Sequence, residues 1–325
     1  MGRLRYPLRR IIEGLITLFI VMTIIFLLFR VMPGDPLSIV IDPKMTPEVK
    51  EMIRHSYGLD QPMFVQYGIY LKNLFTLNLG ESFRYSQPVS EVLAARIPNT
   101  LLLFTSASVL SAVLGIILGR IIAWRRNSKL EYGLTLAGLF FYEMPIFWFG
   151  LILIYLFAFR LNLFPISGMI DFELWTLGAT TGEKIIDILH HLILPLITLT
   201  TASFCGMMLL MRTSMVETMK EDYVEAAKAR GLPDKVVRDS YAARNAELPV
   251  ITAFILSLSA SIGGGVLTEK IFSWPGIGYE LYQATIGRDY PLAQGCFFIL
   301  TLMTILAVIV IDISYAYLDP RVSYD

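Results

Sequence analysis

The sequence predicts an all-α integral membrane protein with six transmembrane helices. A large helical extracytoplasmic loop lies between spans 1 and 2, and a short capped cytoplasmic helix between spans 4 and 5. Three observations predict this. The 325 residues are 55% hydrophobic and only 17% charged, where a soluble domain runs nearer a quarter charged. The apolar residues gather in runs of the ~20 residues that a hydrocarbon core about 30 Å thick requires. The basic residues fall unevenly on the segments between those runs.

The runs are Ile11–Met32, Asn99–Ile122, Leu134–Phe159, Leu189–Met211, Val250–Leu267 and Cys296–Tyr317. Arg3, Arg5, Arg9 and Arg10 precede the first run, as they would in a signal peptide. That run is longer than an h-region of about 7–15 residues and is followed by no small-residue cleavage site, so it reads as an uncleaved anchor. An even number of spans puts both termini on one side. Sixteen of the 27 Lys and Arg belong to that side: the four before span 1, Arg120 to Lys129, Arg212 to Arg244, and Arg321. The positive-inside rule makes it the cytoplasm. The formal net charge is zero and no Lys/Arg-rich block occurs, so nothing points to nucleic acid. Cys205 and Cys296 lie in apolar runs and read as small packing residues.

The outer segment, residues 33–98, opens on Met32-Pro33-Gly34-Asp35-Pro36, which ends a helix. Thr46, Pro47 and Glu48 then read as the start of a helix that ends near Tyr57 and Gly58. A second helix from about Gln61 to Phe75 carries a wide aromatic stripe of Phe64, Tyr67, Tyr70 and Phe75, suited to a membrane surface or to a partner. Two readings stand for these helices: a cover over the outer ends of the bundle, or a dock for an external partner. The cytoplasmic loop 212–248 contains Asp222-Tyr223-Val224-Glu225-Ala226-Ala227-Lys228-Ala229-Arg230-Gly231-Leu232-Pro233. Acids at the front, bases at the back, then Gly and Pro, define a short, well-terminated helix with a face of small side chains. Asp234 is placed to cap the next helix, and Leu248-Pro249 to open span 5.

Several chemistries are absent from the chain. There is no G-x-x-x-x-G-K-[ST], so no phosphate-cradling loop for ATP. No G-x-S-x-G occurs. His190 and His191 lack the partners of a metal site and are expected at the membrane interface. The expectation is a conduit rather than an enzyme, with no catalytic residues and no metal.

Pro33-Gly34-Asp35-Pro36, Tyr57-Gly58-Leu59-Asp60-Gln61-Pro62, Leu79-Gly80-Glu81-Ser82, Arg96-Ile97-Pro98-Asn99-Thr100-Leu101 and Met211-Arg212-Thr213-Ser214-Met215 recur in order along the chain. They are followed by Phe272-Ser273-Trp274-Pro275-Gly276-Ile277-Gly278, Arg288-Asp289-Tyr290-Pro291 and Tyr317-Leu318-Asp319-Pro320-Arg321. In this order the chain resembles, over nearly its whole length, the permease subunits of bacterial dipeptide/oligopeptide/nickel ABC importers. The resemblance implies one permease domain over 1–325 in the inner membrane, forming half of a translocation pore. It also implies a second homologous permease, two ATPase subunits that bind ATP and Mg, and an extracytoplasmic substrate-binding protein. The family's "EAA…G" motif falls on Glu225, Ala226, Ala227 and Gly231, which makes Tyr223, Glu225, Ala226, Ala227, Lys228, Arg230 and Gly231 the expected ATPase-coupling residues. The implied cargo is a di- or oligopeptide, with a nickel complex or an oligosaccharide as alternatives. An ion-coupled carrier is the first rival, a channel the second and a membrane scaffold the third.

Glu143 departs from the family, which usually has a small residue such as Ser before Pro145. An ionisable group inside a span is costly and a functional candidate. It either lines the pathway and meets a cationic part of the cargo, or is a carboxyl kept neutral or hydrogen-bonded to a neighbouring helix. Ser257, Ser261, Gly263, Gly264 and Gly265 of span 5 supply small, polar linings for a polar cargo. The three glycines equally fit tight bundle packing. Gly115 and Gly119, at GxxxG spacing, read as packing.

Overall fold

The computed structural model describes residues 2–31, 46, 48, 51–52, 55, 60–262 and 265–318, with the backbone alone for 2–7, 259–262 and 311–318. Among these residues the fold is helical, with one isolated bridge between Glu81 and Pro88. The chain divides into two units: residues 1–100, 263–270 and 275–325 form the first, and 101–262 with 271–274 the second. The helix expected to start at Thr46 falls largely outside the described residues.

Four described helices are long and apolar enough to cross a membrane: Leu8–Val31, Val89–Trp124, Thr181–Thr218 and Tyr290–Val310. The first unit is built on α1 (Gly2–Val31), α2 (Met63–Phe75) and the start of α3 (Val89–Trp124). Met22, Ile25, Phe26 and Phe29 are buried along one stripe of α1, while Leu15, Ile16, Phe19, Ile20, Ile24, Leu27 and Leu28 are exposed. An apolar face left uncovered on a helix of this length suits lipid. Helix α2 packs on the second half of α1. The Thr23 and Tyr67 hydroxyls lie 2.6 Å apart, and the rings of Tyr67 and Tyr70 stand 5.2 and 5.3 Å from Phe26. That leaves Met63, Phe64 and Phe75 exposed, while Tyr67 and Tyr70 of the expected stripe are turned to α1.

Helix α3 starts at Val89, not at Asn99, and runs through Pro98. Val89, Val92 and Leu93 are buried at helical spacing in the core of the first unit, which holds this turn in place before the proline.

The second unit contains the rest of α3, α4 (Lys129–Glu143), α5 (Ile146–Leu153), a π-helical turn (Ile154–Arg160), α6 (Phe172–Thr176) and α7 (Thr181–Thr218). The single span expected over Leu134–Phe159 is instead two helices bent by 101° at Met144-Pro145. Pro145 is the N-cap of α5, and the residue before a proline is pushed out of the helical region, here to ψ 130° at Met144. Helix α7 begins well before Leu189, at a capping box in which Thr180 and Glu183 satisfy each other's backbone N–H groups. His190 Nε2 lies 2.9 Å from the Leu163 carbonyl, while His191 is buried against Asp187.

Where α3 meets α7 the helices touch through Gly115 and Gly119. A Cβ on Gly119 would lie 2.6 Å from Met211 Cβ and 2.7 Å from the Met208 carbonyl oxygen, so backbone would have to move. Gly119→Leu is therefore expected to destabilise the protein by at least about 2 kcal/mol, measured as a lowered thermal midpoint in detergent.

After α8 (Asp222–Ala229) comes α9 (Asp234–Val236), a π-helical turn (Val237–Ala242) and α10 (Ala243–Ile262). Two expectations change here. Pro233, not Asp234, is the N-cap of α9 and makes no side-chain cap. Helix α10 starts at Ala243 and contains Pro249, where span 5 was expected to open near Val250. Ala242, Ala243, Ala246 and Val250 are fully buried at helical spacing, and this burial outweighs the one helical hydrogen bond that Pro249 removes. Val266 and Leu267 belong to a separate helix, α11 (Val266–Ile271), whose residues up to Lys270 lie in the first unit, which also holds α12 (Ile277–Ile286) and α13 (Tyr290–Leu318).

Candidate functional site

Helix α8 has its acids, Asp222 and Glu225, in the first turn and Lys228 in the last, matched to the helix dipole. Gly231 takes φ +75°, the left-handed conformation that ends a helix without a Cβ penalty, and its N–H donates to the Lys228 carbonyl at 2.9 Å. Val224 and Ala227, three residues apart, are buried in a core with Ala123, Met211, Met215, Val237, Ala243 and Val250. The helix is held further by Asn245 Nδ2, which donates to Tyr223 Oη at 2.8 Å, and by the Lys228 ammonium 5.7 Å from the Trp124 ring centre.

This anchoring divides the expected coupling residues. Ala227 points into the second unit and holds the helix down. Tyr223, Glu225, Ala226, Lys228, Arg230 and Gly231 are exposed, and Ala229 joins them. The outward face is therefore a small-residue patch between an acid and two bases, on a helix clamped at its back. It can receive another surface at close range.

The residues expected along a pathway are less unified. Glu143 is exposed at the last turn of α4, beside the bend, with no ion pair or hydrogen bond among the described residues. A carboxylate there opposes the helix dipole, and the hydrogen bond to a neighbouring helix weighed from sequence is not formed. Ser257 is half-buried and donates to the Phe254 carbonyl at 2.8 Å. Gly265 lies just before α11, and its carbonyl accepts from the Glu269 N–H at 3.0 Å. Gly263 and Gly264 fall outside the described residues, as does the Ser261 side chain.

The first unit holds a cluster that sequence reasoning missed. Three carboxylates, Glu269, Glu280 and Asp289, are at most 2% exposed. Thr100 Oγ1 donates to Glu269 Oε1 and accepts from the Ile277 N–H, both at 2.8 Å, and the Tyr279 N–H donates to Glu269 Oε2 at 2.8 Å. Glu269 thus satisfies the start of α12, where orphan N–H groups gather. Gly276 and Gly278 make room for it: a Cβ on either would run into the Glu269 carboxylate or the Val266 backbone. Arg96 Nε lies 2.9 Å from Glu280 Oε1, and Tyr85 Oη donates to Glu280 at 3.0 Å. Asp289 accepts from Ser82 Oγ at 2.5 Å, from the Arg84 N–H at 3.0 Å and, at the start of α13, from the Leu292 N–H at 3.2 Å.

Burial pushes the Glu269 carboxyl up to about 7, against the opposing pull of the Tyr279, Thr100 and Gly278 donors. Burial, then the Glu280 carboxylate, raises the Tyr85 phenol. The segments Leu79–Ser82, Arg96–Thr100, Pro275–Gly278 and Arg288–Pro291, scattered along the sequence, meet in this network. A Glu four residues after a glycine run and next to a W-P-G-I-G stretch was the available signal.

The profile described as "Binding-protein-dependent transport system inner membrane component" matches residues 115–324, and its N-terminal companion matches residues 3–104. The chain is 36% identical over 320 residues to the oligopeptide transport system permease protein AppB of Bacillus subtilis, covering 98% of this chain and 99% of that one. It is 38% identical over 321 residues to the di/tripeptide transport system permease protein DppB of Pseudomonas aeruginosa, covering 95% of each.

Proposed function

The chain belongs to the family of binding-protein-dependent transport system inner membrane components, and we propose that it is the permease subunit of an ATP-driven importer of di- and oligopeptides, coupled to separate ATPase subunits through helix α8. The observation that carries the coupling is the division of α8 into a buried anchor, Val224 and Ala227, and an exposed face centred on Ala226 and Ala229. A helix clamped on one side transmits displacement as a rigid body, and small side chains on the other admit a partner closely. The chain has no phosphate-binding loop, so the force has to come from outside it.

The permease pairs with a second homologous permease, two ATPase subunits and an extracytoplasmic binding protein, with both its termini in the cytoplasm. ATP closes the ATPases, the α8 helices of the two permeases move with them, and the pathway changes the side to which it opens. The relatives named for oligopeptides and di/tripeptides favour peptide over a nickel complex or an oligosaccharide. Glu143, exposed at the bend, faces the pathway and meets cationic groups of the cargo.

The test is co-purification with two ATPases followed by peptide uptake in proteoliposomes. Uptake is expected to need ATP and the binding protein and to stop with vanadate. Uptake by the isolated chain driven by an ion gradient would make it a secondary carrier instead. In the same assay, uptake of a lysine-rich peptide that is unchanged in Glu143→Gln removes Glu143 from the pathway.

A further inference from the structure

The first unit holds a cavity of about 180 Å³ at the end of α1, lined by Arg30, Gln66, Tyr70, Asn73, Asn78 and Gln294 among others. Arg30 is the one charged residue of the lining, and among the described residues no carboxylate lies within ion-pair distance of it. Its guanidinium lines the cavity and sits 5.3 Å from the Phe26 ring centre. Around it the carboxamides of Asn73, Asn78 and Gln294 offer further N–H donors, while Gln66 Nε2 donates to the Gln61 carbonyl at 2.7 Å.

The volume excludes a whole peptide, since pockets for ligands of that size run from about 300 Å³ upward. It admits one small polar group. A planar cation among amide donors, with no acid among the described residues of the wall, is the chemistry that recognises a phosphate.

The position says which phosphate. Arg30 stands one residue from the end of the apolar span Leu8–Val31, the depth at which a bilayer gives way to headgroups. Ile69 lines the cavity and is exposed, and Leu27 and Val31, beside Arg30 on α1, add exposed apolar surface. A molecule with an anionic head in the cavity and hydrocarbon along that surface satisfies both. We propose that this cavity binds the phosphate headgroup of an anionic phospholipid, in the leaflet that the C-terminal end of α1 reaches. The site goes beyond the transport reading and does not depend on it.

Full-length protein in detergent, titrated with phosphatidylglycerol and followed by native mass spectrometry, tests this. Arg30→Gln is expected to lower phosphatidylglycerol affinity at least about tenfold, from loss of a charge-assisted hydrogen bond. Arg30→Lys retains most of the binding as a point charge, and Gln294→Leu weakens it with the thermal midpoint unchanged. Should Arg30→Gln fail to fold, the Gln294→Leu result decides. Equal retention of phosphatidylglycerol by wild type and Arg30→Gln, or by wild type and Gln294→Leu, overturns the site. Displacement of the lipid by equimolar inorganic phosphate overturns the lipid as its source and leaves a free-anion site. Uptake is not the readout, so failure here leaves the transport reading standing.

Discussion

In Ala226→Trp, peptide uptake by the reconstituted importer falls about tenfold or more, as expected when at least about 1.4 kcal/mol of docking free energy is lost. Insertion and thermal midpoint are expected to stay at wild-type values, because Ala226 is exposed. ATP hydrolysis persists but is no longer stimulated by peptide-loaded binding protein. The neighbouring position behaves differently. Ala227 is 2% exposed in a core whose other members are fully buried, so Ala227→Trp overpacks that core, at a cost of about 1–3 kcal/mol or more. Its transport defect would come with lost stability and would say little about coupling. Peptide-stimulated hydrolysis and full uptake in Ala226→Trp would show that the exposed face of α8 is not the docking surface.

The second large effect concerns Glu269. Glu269→Ala leaves the Tyr279 and Gly278 N–H groups and the Thr100 hydroxyl without their acceptor in a dry interior, a loss of about 3 kcal/mol or more. Glu269→Gln keeps an acceptor at the same place and costs far less. The two also differ in pH dependence. The Glu269 carboxyl titrates near 7 in the fold, against 4.5 when unperturbed, because burial disfavours its charged form. Its stabilising share is therefore complete below pH 4.5 and is lost as pH rises through about 7. The total is about 3 kcal/mol at 1.36 kcal/mol per unit.

Glu280, the acid facing it, is paired with Arg96 and bonded to Tyr85, and adds to the upward push. Thermal midpoints measured from pH 5 to 8 should fall with pH in wild type, and the Glu269→Gln curve should be flatter. Parallel curves would mean that Glu269 is ionised throughout.

The spans and helix α8 were readable in the sequence because their causes are local. Hydropathy over a window marks a lipid-crossing segment, and α8 carries its own caps and charge order from Asp222 to Gly231. What each alanine of α8 touches was not readable, since Ala226, Ala227 and Ala229 look alike until Val224 and a core from four other segments select one side. The sharp bend at Met144-Pro145 was signalled by the proline, but its 101° depends on what the two halves pack against.

Composition, apolar run length and motif order by themselves determined that this is a membrane permease with a short capped helix in one loop, because those properties add along the chain. Tertiary structure alone decided where helices α3 and α10 begin despite Pro98 and Pro249, and that Thr100, Glu269 and Tyr279 share one buried hydrogen-bond network. It also placed Arg30 in a cavity with carboxamides from α2 and α13. Each of these depends on burial and on partners far apart in sequence, and a desolvated charge or a crowded glycine acquires its energy only from the atoms that surround it.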